Sequence, residues 1–198
     1  QLFHRALLRL DCRRKTQQLM RHLFFLALLV AGFDLTGGAQ QFATREAHIS
    51  FLSETPVEDI KAESQEASAI LDVATGGLAF QVPILSFHFP KALMEEHFNE
   101  NYMESAKFPK ASFRGTVMGW DPDGDAQQEV VAKGKLDMHG VSVAREVTGT
   151  MTRTTSGWMI GATFSVPCTD HNIDIPKVVS ENIAEVIDVT LTATLLPR

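Results

Sequence analysis

Apolar and polar residues alternate along most of the chain after residue 40. Leu78, Phe80, Val82 and Ile84, for example, occupy every second position. A period of two is that of a β-strand that has one apolar face. Further runs of this kind lie at 47–51, 130–138, 143–151, 158–166 and 183–193. The sequence therefore predicts an all-β fold whose sheet has one apolar face to bury.

Turn-forming residues separate these runs at 75–77, 121–125, 138–140 and 155–157. Regular short strands with such turns favour an antiparallel sandwich or barrel. Only two or three short helices are predicted, at Thr55–Glu58, Pro90–Phe98 and Pro176–Asn182. With so few helices to cover a sheet of about eight strands, closing the sheet on itself is the simplest way to bury its apolar face. We therefore expect an eight-stranded antiparallel barrel.

The side chains expected to point into this barrel are large and carry almost no polar atoms. They are Phe51, Phe80, Val82, Phe113, Leu136, Trp158 and Phe164. A barrel of about eight strands has room for its own side chains or for one slender ligand. The predicted interior therefore suits an apolar guest, and the alternative is that these residues fill a ligand-free core.

The beginning of the chain is typical of an export signal. Basic residues near Met20 precede the apolar run Leu23–Ala31, and small residues follow at Gly37 and Ala39. The run falls short of the roughly 20 residues that span a bilayer, so we expect no stable membrane span. We predict an upstream translated segment at 1–19, a signal peptide at 20–39 cleaved after Ala39, and one domain at 40–198. The expected location is periplasmic or secreted, and the alternative is an uncleaved anchor.

Charge and cysteine content restrict the partners and chemistry further. Without residues 1–39 the chain has 12 basic and 22 acidic residues, a net charge of −10. Such an acidic chain repels nucleic acid, so no nucleic-acid partner is expected. Cys168 is the single cysteine left in the predicted domain, which excludes a disulfide within it.

The sequence contains no convincing catalytic or metal-binding motif. No two histidines have the spacing of a zinc motif such as H-E-x-x-H. Cys168, Asp170 and His171 are neighbours in sequence, and in a strand His171 would point to the opposite face from the other two. The acidic turn 121–125 lacks a glutamate at the twelfth position of a calcium loop, which is Ala132. We therefore expect no catalytic residue, no metal and no enzyme activity.

Two segments resemble a known family. HFNENYMESAKFPKASFRG (97–115) and GKLDMHGVS (134–142) are similar to the YceI-like family of polyisoprenoid-binding, lipocalin-like periplasmic proteins. The resemblance extends over about Ala47–Leu195 and implies a lipocalin-like barrel with an elongated apolar tunnel. It adds Phe98 and Phe108 to the seven inward residues above as tunnel residues. The family's Arg-containing segment near the C-terminus is replaced here by Cys168–Asn172, so we carry over the tunnel and no particular head group.

The predicted function is that of an exported binding protein. It would hold an isoprenoid-like lipid, such as a prenol or a quinone tail, for carriage or sequestration, and it would need no cofactor besides that lipid. His97, His139 and Asp170 are the candidate rim or head-group residues. Two alternatives stay open: an enzyme that uses His97, His139 or Asp170 at the barrel mouth, and a filled barrel with a structural or stress role and no small ligand. A homodimer also stays open.

Overall fold

The computed structural model describes residues 41–124 and 126–198. The predicted upstream segment at 1–19 and signal peptide at 20–39 lie outside the described residues, as does Asp125 of the acidic turn. No helix in the described part of the chain is long and apolar enough to cross a membrane.

Eight antiparallel strands form a closed barrel in the described residues, as the alternation predicted. Each strand pairs with the next one in sequence, and the last pairs with the first. The strands are β1 (Gln41–Ser53), β2 (Ile60–Asp72), β3 (Gly77–Pro83), β4 (Lys110–Met118), β5 (Gln128–Met138), β6 (Val141–Arg153), β7 (Trp158–Pro167) and β8 (Val186–Pro197).

The two ends of the barrel are built differently. One end, the hairpin end, has the connections 73–76, 119–127 and 154–157. The other, the covered end, has the long connections 84–109 and 168–185. The first of these contains helix α1 (Ala92–His97), which continues into a π-helical turn, and the second contains two short 3₁₀ turns.

The predicted helices have mixed outcomes. Pro90–Phe98 is confirmed as α1, and Pro176–Asn182 is reduced to the 3₁₀ turn Lys177–Val179. The helix predicted from Thr55 is wrong. The Glu58 N–H does donate to Thr55 Oγ1 over 3.1 Å, as at a helix start, but β2 begins at Ile60 and the chain turns directly into the sheet.

Strand β2 was not predicted because its apolar alternation is interrupted. Its buried side chains are small except for Leu71, and they change phase in the middle: Ala62 and Ser64, then Ala67, Ala69 and Leu71. The register with β1 shifts between Ala47 and Ile49, where β2 contains an extra residue. Such a bulge moves the inward positions by one residue, which hides the strand from a simple period-two search.

The ladder between β6 and β7 is incomplete. Pairing covers only Gly149–Arg153 of β6 and Trp158–Ala162 of β7. At its last pair the strands are very close, since a Cβ on Gly149 would lie 2.6 Å from the Gly161 carbonyl oxygen. Beyond it, residues 141–148 and 163–167 are not paired with each other. This stretch, the β6–β7 seam, lies toward the covered end.

Candidate functional site

The barrel encloses two adjoining cavities of about 120 and 170 Å³. The deep cavity reaches toward the hairpin end and includes Leu71, Val130 and Met151 in its wall. The outer cavity lies below the covered end. Five residues lie where the two cavities adjoin and line both, and the two cavities together make up the apolar space of the barrel: Ile49, Val82, Ala111, Leu136 and Phe164.

The walls of this space are almost entirely apolar. Among the described residues that line it, Arg145 is the only charged one. An apolar cavity of about 150 Å³ stays free of water and can bind benzene, and each of these two cavities is of similar size. The interior is therefore suited to an apolar guest and offers few groups for catalysis.

Aromatic rings close the outer cavity below α1. The Phe98 ring, from the π-helical turn Phe98–Tyr102, stacks on Phe51 at a centroid distance of 5.4 Å. Phe87 and Phe89 pack against Phe98 at 5.7 and 5.1 Å. Sequence reasoning missed Phe87 and Phe89, although their alternation in FHFP was a usable signal.

Polar contacts connect the segment 84–109, which contains Glu104, to the turn between β5 and β6. In this turn His139 and Gly140 have φ values of 50° and 75°, as a type I′ turn requires. His139 Nδ1 lies 3.0 Å from the His171 carbonyl oxygen, and Nε2 lies 3.0 Å from Glu104 Oε2. We call Glu104, His139 and the His171 carbonyl the clasp.

His171 stabilises the same turn from within. Its fully buried ring directs Nδ1 toward the carbonyl oxygens of Met138 and Val141, each 3.3 Å away. Nε2 is buried and has no hydrogen-bond partner within 41–124 and 126–198. Burial lowers the pKa of His171, and the hydrogen bonds to the Met138 and Val141 carbonyls oppose this shift without reversing it. The ring is therefore neutral with its proton on Nδ1, because both neighbours of Nδ1 can only accept.

Cys168 lines the outer cavity, and its environment makes its thiol a poor nucleophile. Burial raises the pKa of its thiol, and the charge of Glu185 acts in the same direction. A protonated thiol is a poor nucleophile. The His171 ring bonds to backbone carbonyls, so no Cys-His-Asp triad forms here. In the described part of the chain, no group of three or more His, Cys, Asp or Glu could hold a metal ion.

Most of the predicted tunnel residues lie on the cavity wall. These are Phe51, Phe80, Val82, Phe98, Phe113, Leu136 and Phe164. Their contact with a lipid stays a prediction.

Phe108 and Trp158 line neither cavity. The Phe108 ring packs against the His139 ring at 4.7 Å, and it occupies the space that a Cβ on Gly140 would need. Trp158 packs edge-on against Trp120 at 5.0 Å and helps to close the hairpin end. Because Trp158 lies at the end of its strand, its inward side chain closes the end of the barrel and does not line the cavity.

The three predicted rim residues have different environments. His97 is exposed at the end of α1 and lines neither of the two cavities, and the chain continues from it into the π-helical turn. His139 belongs to the clasp. Asp170 accepts a hydrogen bond from Arg145 Nη2 over 2.7 Å. Arg145 itself was missed, although it shares the inward phase of Val143 and Val147.

The chain thus has the architecture of an eight-stranded up-and-down barrel, which the lipocalins share. The model of the YceI-like domain matches residues 33–195 of the chain. The chain therefore belongs to the YceI-like domain family.

Solved structures with this fold have low sequence identity to the chain. A polyisoprenoid-binding domain from Saccharophagus degradans, implicated in plant cell wall breakdown, has a TM-score of 0.66 at 14% identity, covering 81% of this chain and 99% of that one. BcnA from Burkholderia cenocepacia has a TM-score of 0.62 at 14% identity, covering 75% and 96%. The YceI protein of Campylobacter jejuni has a TM-score of 0.57 at 13% identity, covering 73% and 88%. A comparison with curated protein sequences gives no match.

Proposed function

We propose that the chain is an exported binding protein that holds an isoprenoid-like lipid inside the barrel, for carriage or sequestration. The observation that carries this proposal is the apolar space that the two adjoining cavities form inside the barrel. It extends along β5 from Val130 in the deep cavity to Met138 in the outer one. At about 3.4 Å per residue that distance is about 27 Å along the strand. With strands tilted by about 40°, about 20 Å remains along the barrel axis.

The shape of this space selects a slender chain. Burial of apolar surface contributes about 25 cal/mol per Å², so a prenol or a quinone tail gains affinity along its whole length. Trp120 and Trp158 close the hairpin end, and the aromatic cluster around Phe98 covers the other. A branched, flexible hydrocarbon fits such a space better than a rigid, broad ring system.

Two further observations support the proposal. The polyisoprenoid-binding domain from Saccharophagus degradans has the same fold. The two cavities, which the side chains of the barrel do not fill, also favour a ligand-holding barrel over a filled one. Export to the periplasm or beyond rests on the signal-like sequence at 20–39.

The proposal is tested by the lipid that accompanies the purified protein. The protein would be produced in a host that exports it, extracted with organic solvent and analysed by mass spectrometry. We expect a long-chain isoprenoid at close to one molecule per protein. A clean extract, together with no thermal shift on adding prenols or quinones, would contradict the proposal.

A further inference from the structure

Three arginines line one groove on the outer surface of the barrel. The groove has a volume of about 860 Å³, and Arg45, Arg114 and Arg198 lie in its wall. Residues 41–124 and 126–198 contain two other arginines, Arg145 and Arg153, and each of these pairs with an aspartate. The arginines that form no ion pair within this part of the chain therefore all lie at a single site.

The charge of this groove is opposite to that of the chain around it. One carboxylate, that of Glu66, lines the groove beside the three arginines. Lys135 adds a further positive charge at one side, because it lies directly across from Arg114 on β5. Residues 40–198 as a whole carry a net charge of −10. Composition does not explain a cationic groove on such an acidic chain, and a groove of this kind attracts anionic partners.

Small side chains form the floor of the groove and long ones form its sides. Ser68 and Ala79 face outward from β2 and β3. Arg45 on β1 and Arg114 on β4 are exposed at the two sides. Three strand spacings of about 4.8 Å separate β1 from β4, so the backbones of the two arginines are about 14 Å apart across the sheet. A floor of small residues between long side chains admits a chain and not the flat surface of a bilayer.

An apolar row of side chains crosses the strands along this floor. Cross-strand pairs connect Leu196 to Ala43, Ala43 to Ile70, Ile70 to Ala79 and Ala79 to Arg114. Leu196 and Ile70 are 49% and 37% exposed. The row therefore offers apolar surface that ends at an arginine.

A polar row runs beside the apolar one. Ser68 pairs with Gln81, and Gln81 pairs with Ser112 on the next strand. Their hydroxyl and amide groups both donate and accept hydrogen bonds, as the main chain of an extended peptide requires. The groove thus combines cations at its sides, an apolar row and a polar row.

This combination fits an extended acidic peptide. A guanidinium binds a carboxylate through two parallel hydrogen bonds. In an extended chain, side chains four residues apart point the same way and are about 14 Å apart, which matches the spacing of Arg45 and Arg114. The side chain midway between them also points the same way, onto the apolar row.

We propose that the outer groove between Arg45 and Arg114 binds an extended acidic segment of a partner protein, with an apolar side chain midway between two carboxylates. This interaction surface lies outside the barrel and does not depend on the proposed lipid binding. A second copy of the chain and an anionic membrane are the other occupants, and the test distinguishes them.

The test measures the Kd of a dye-labelled peptide, GESLSEG, by fluorescence anisotropy. Two comparison peptides, GQSLSQG and GESSSEG, lack the carboxylates and the apolar side chain respectively. The protein variants are Arg45→Gln with Arg114→Gln, either single change if the double variant does not fold, and Glu66→Gln. Arg153→Gln with Lys177→Gln is the matched control, because it makes the same change of net charge at exposed positions outside the groove. Thermal melts would establish that each variant is folded.

We expect the double variant to weaken GESLSEG binding about 5- to 25-fold, since it loses two charge-assisted contacts. The matched control should stay within about twofold. Glu66→Gln should tighten binding about twofold or more, because it removes the like charge from the groove. GQSLSQG should bind about fivefold or more weakly than GESLSEG, and GESSSEG about threefold or more.

Four results would overturn the inference. Equal binding of GESLSEG and either comparison peptide would remove the acidic and apolar recognition. An equal loss in the double variant and its matched control would show attraction by net charge alone. Self-association of the unmodified protein in sedimentation, abolished in the double variant, would assign the groove to a second copy. Co-flotation with vesicles of phosphatidylglycerol and phosphatidylcholine that needs both arginines, without peptide binding, would assign it to a membrane.

Discussion

Ala111 is the position at which one substitution should separate binding from folding. It is buried on β4 and lines both cavities where they join. In Ala111→Phe the added ring is the size of benzene, which a cavity of about 150 Å³ can hold. The ring should therefore enter one of the two cavities and block the path between them.

The expected effect on binding is large and that on folding is small. Burying a methylene contributes about 0.8 kcal/mol. A tail that loses the space of one isoprene unit, or five carbons, therefore loses about 4 kcal/mol, a factor of about 1,000 in Kd. In the lipid-free protein, burying the ring contributes about 1.5–3 kcal/mol and overpacking costs about 1–3 kcal/mol. These effects largely cancel, so the free energy of unfolding should change by no more than about 2 kcal/mol.

Equilibrium binding of radiolabelled tetraprenol and urea unfolding measure the two quantities. Ala144→Phe is the control, because Ala144 is exposed on β6. It should leave the Kd unchanged. If Ala111→Phe bound tetraprenol within about threefold of the unmodified protein while remaining folded, the tail would not occupy this junction.

Three further predictions concern parts of the fold around the cavity. Trp158→Ala should lower the free energy of unfolding, measured in urea, by about 3–5 kcal/mol. The reason is that Trp158 is 2% exposed and packs on Trp120. A change below about 1 kcal/mol would contradict the role of Trp158 in closing the hairpin end. Burial lowers the pKa of His171, so the unfolded chain binds the proton more tightly and stability should fall as the pH drops below about 6.5. His171→Asn, which keeps a donor near the Nδ1 position, should flatten this dependence of the unfolding midpoint on pH, whereas the exposed-site control His97→Gln should not; equal slopes in both would refute the assignment. Glu104→Gln should weaken the clasp and speed tetraprenol release about two- to fivefold, measured by stopped-flow exchange. Glu96→Gln is the exposed control. A similar acceleration in the control would show that the clasp does not hold the connection 84–109 in place.

Alternation was enough to predict the barrel because most strands keep an unbroken period of two. Strand β2 was not predicted, because its bulge shifts the inward phase between Ser64 and Ala67. Most of its inward residues are also small. The predicted capping contact between Thr55 and Glu58 is present. One such local hydrogen bond does not make the following residues helical.

The cavity wall was largely predictable for the same reason, whereas its ends and its one charge were not. Inward phase does not tell how far along the barrel a side chain lies, and so it did not indicate that Trp158 lines neither cavity. Phe108 lies in a connection, where alternation carries no information. Arg145 was overlooked because a charged residue is expected to face solvent, yet its position between Val143 and Val147 already placed it on the inner face.

The central claim is that the space between Leu136 and Phe164 holds the lipid tail. A crystal structure of the protein with a prenol brominated near the end of its tail would locate the bromine by its anomalous scattering. We expect one strong peak inside the barrel, on the deep side of Leu136 and Phe164. A bound lipid whose bromine lay on the outer surface of the barrel would contradict the account.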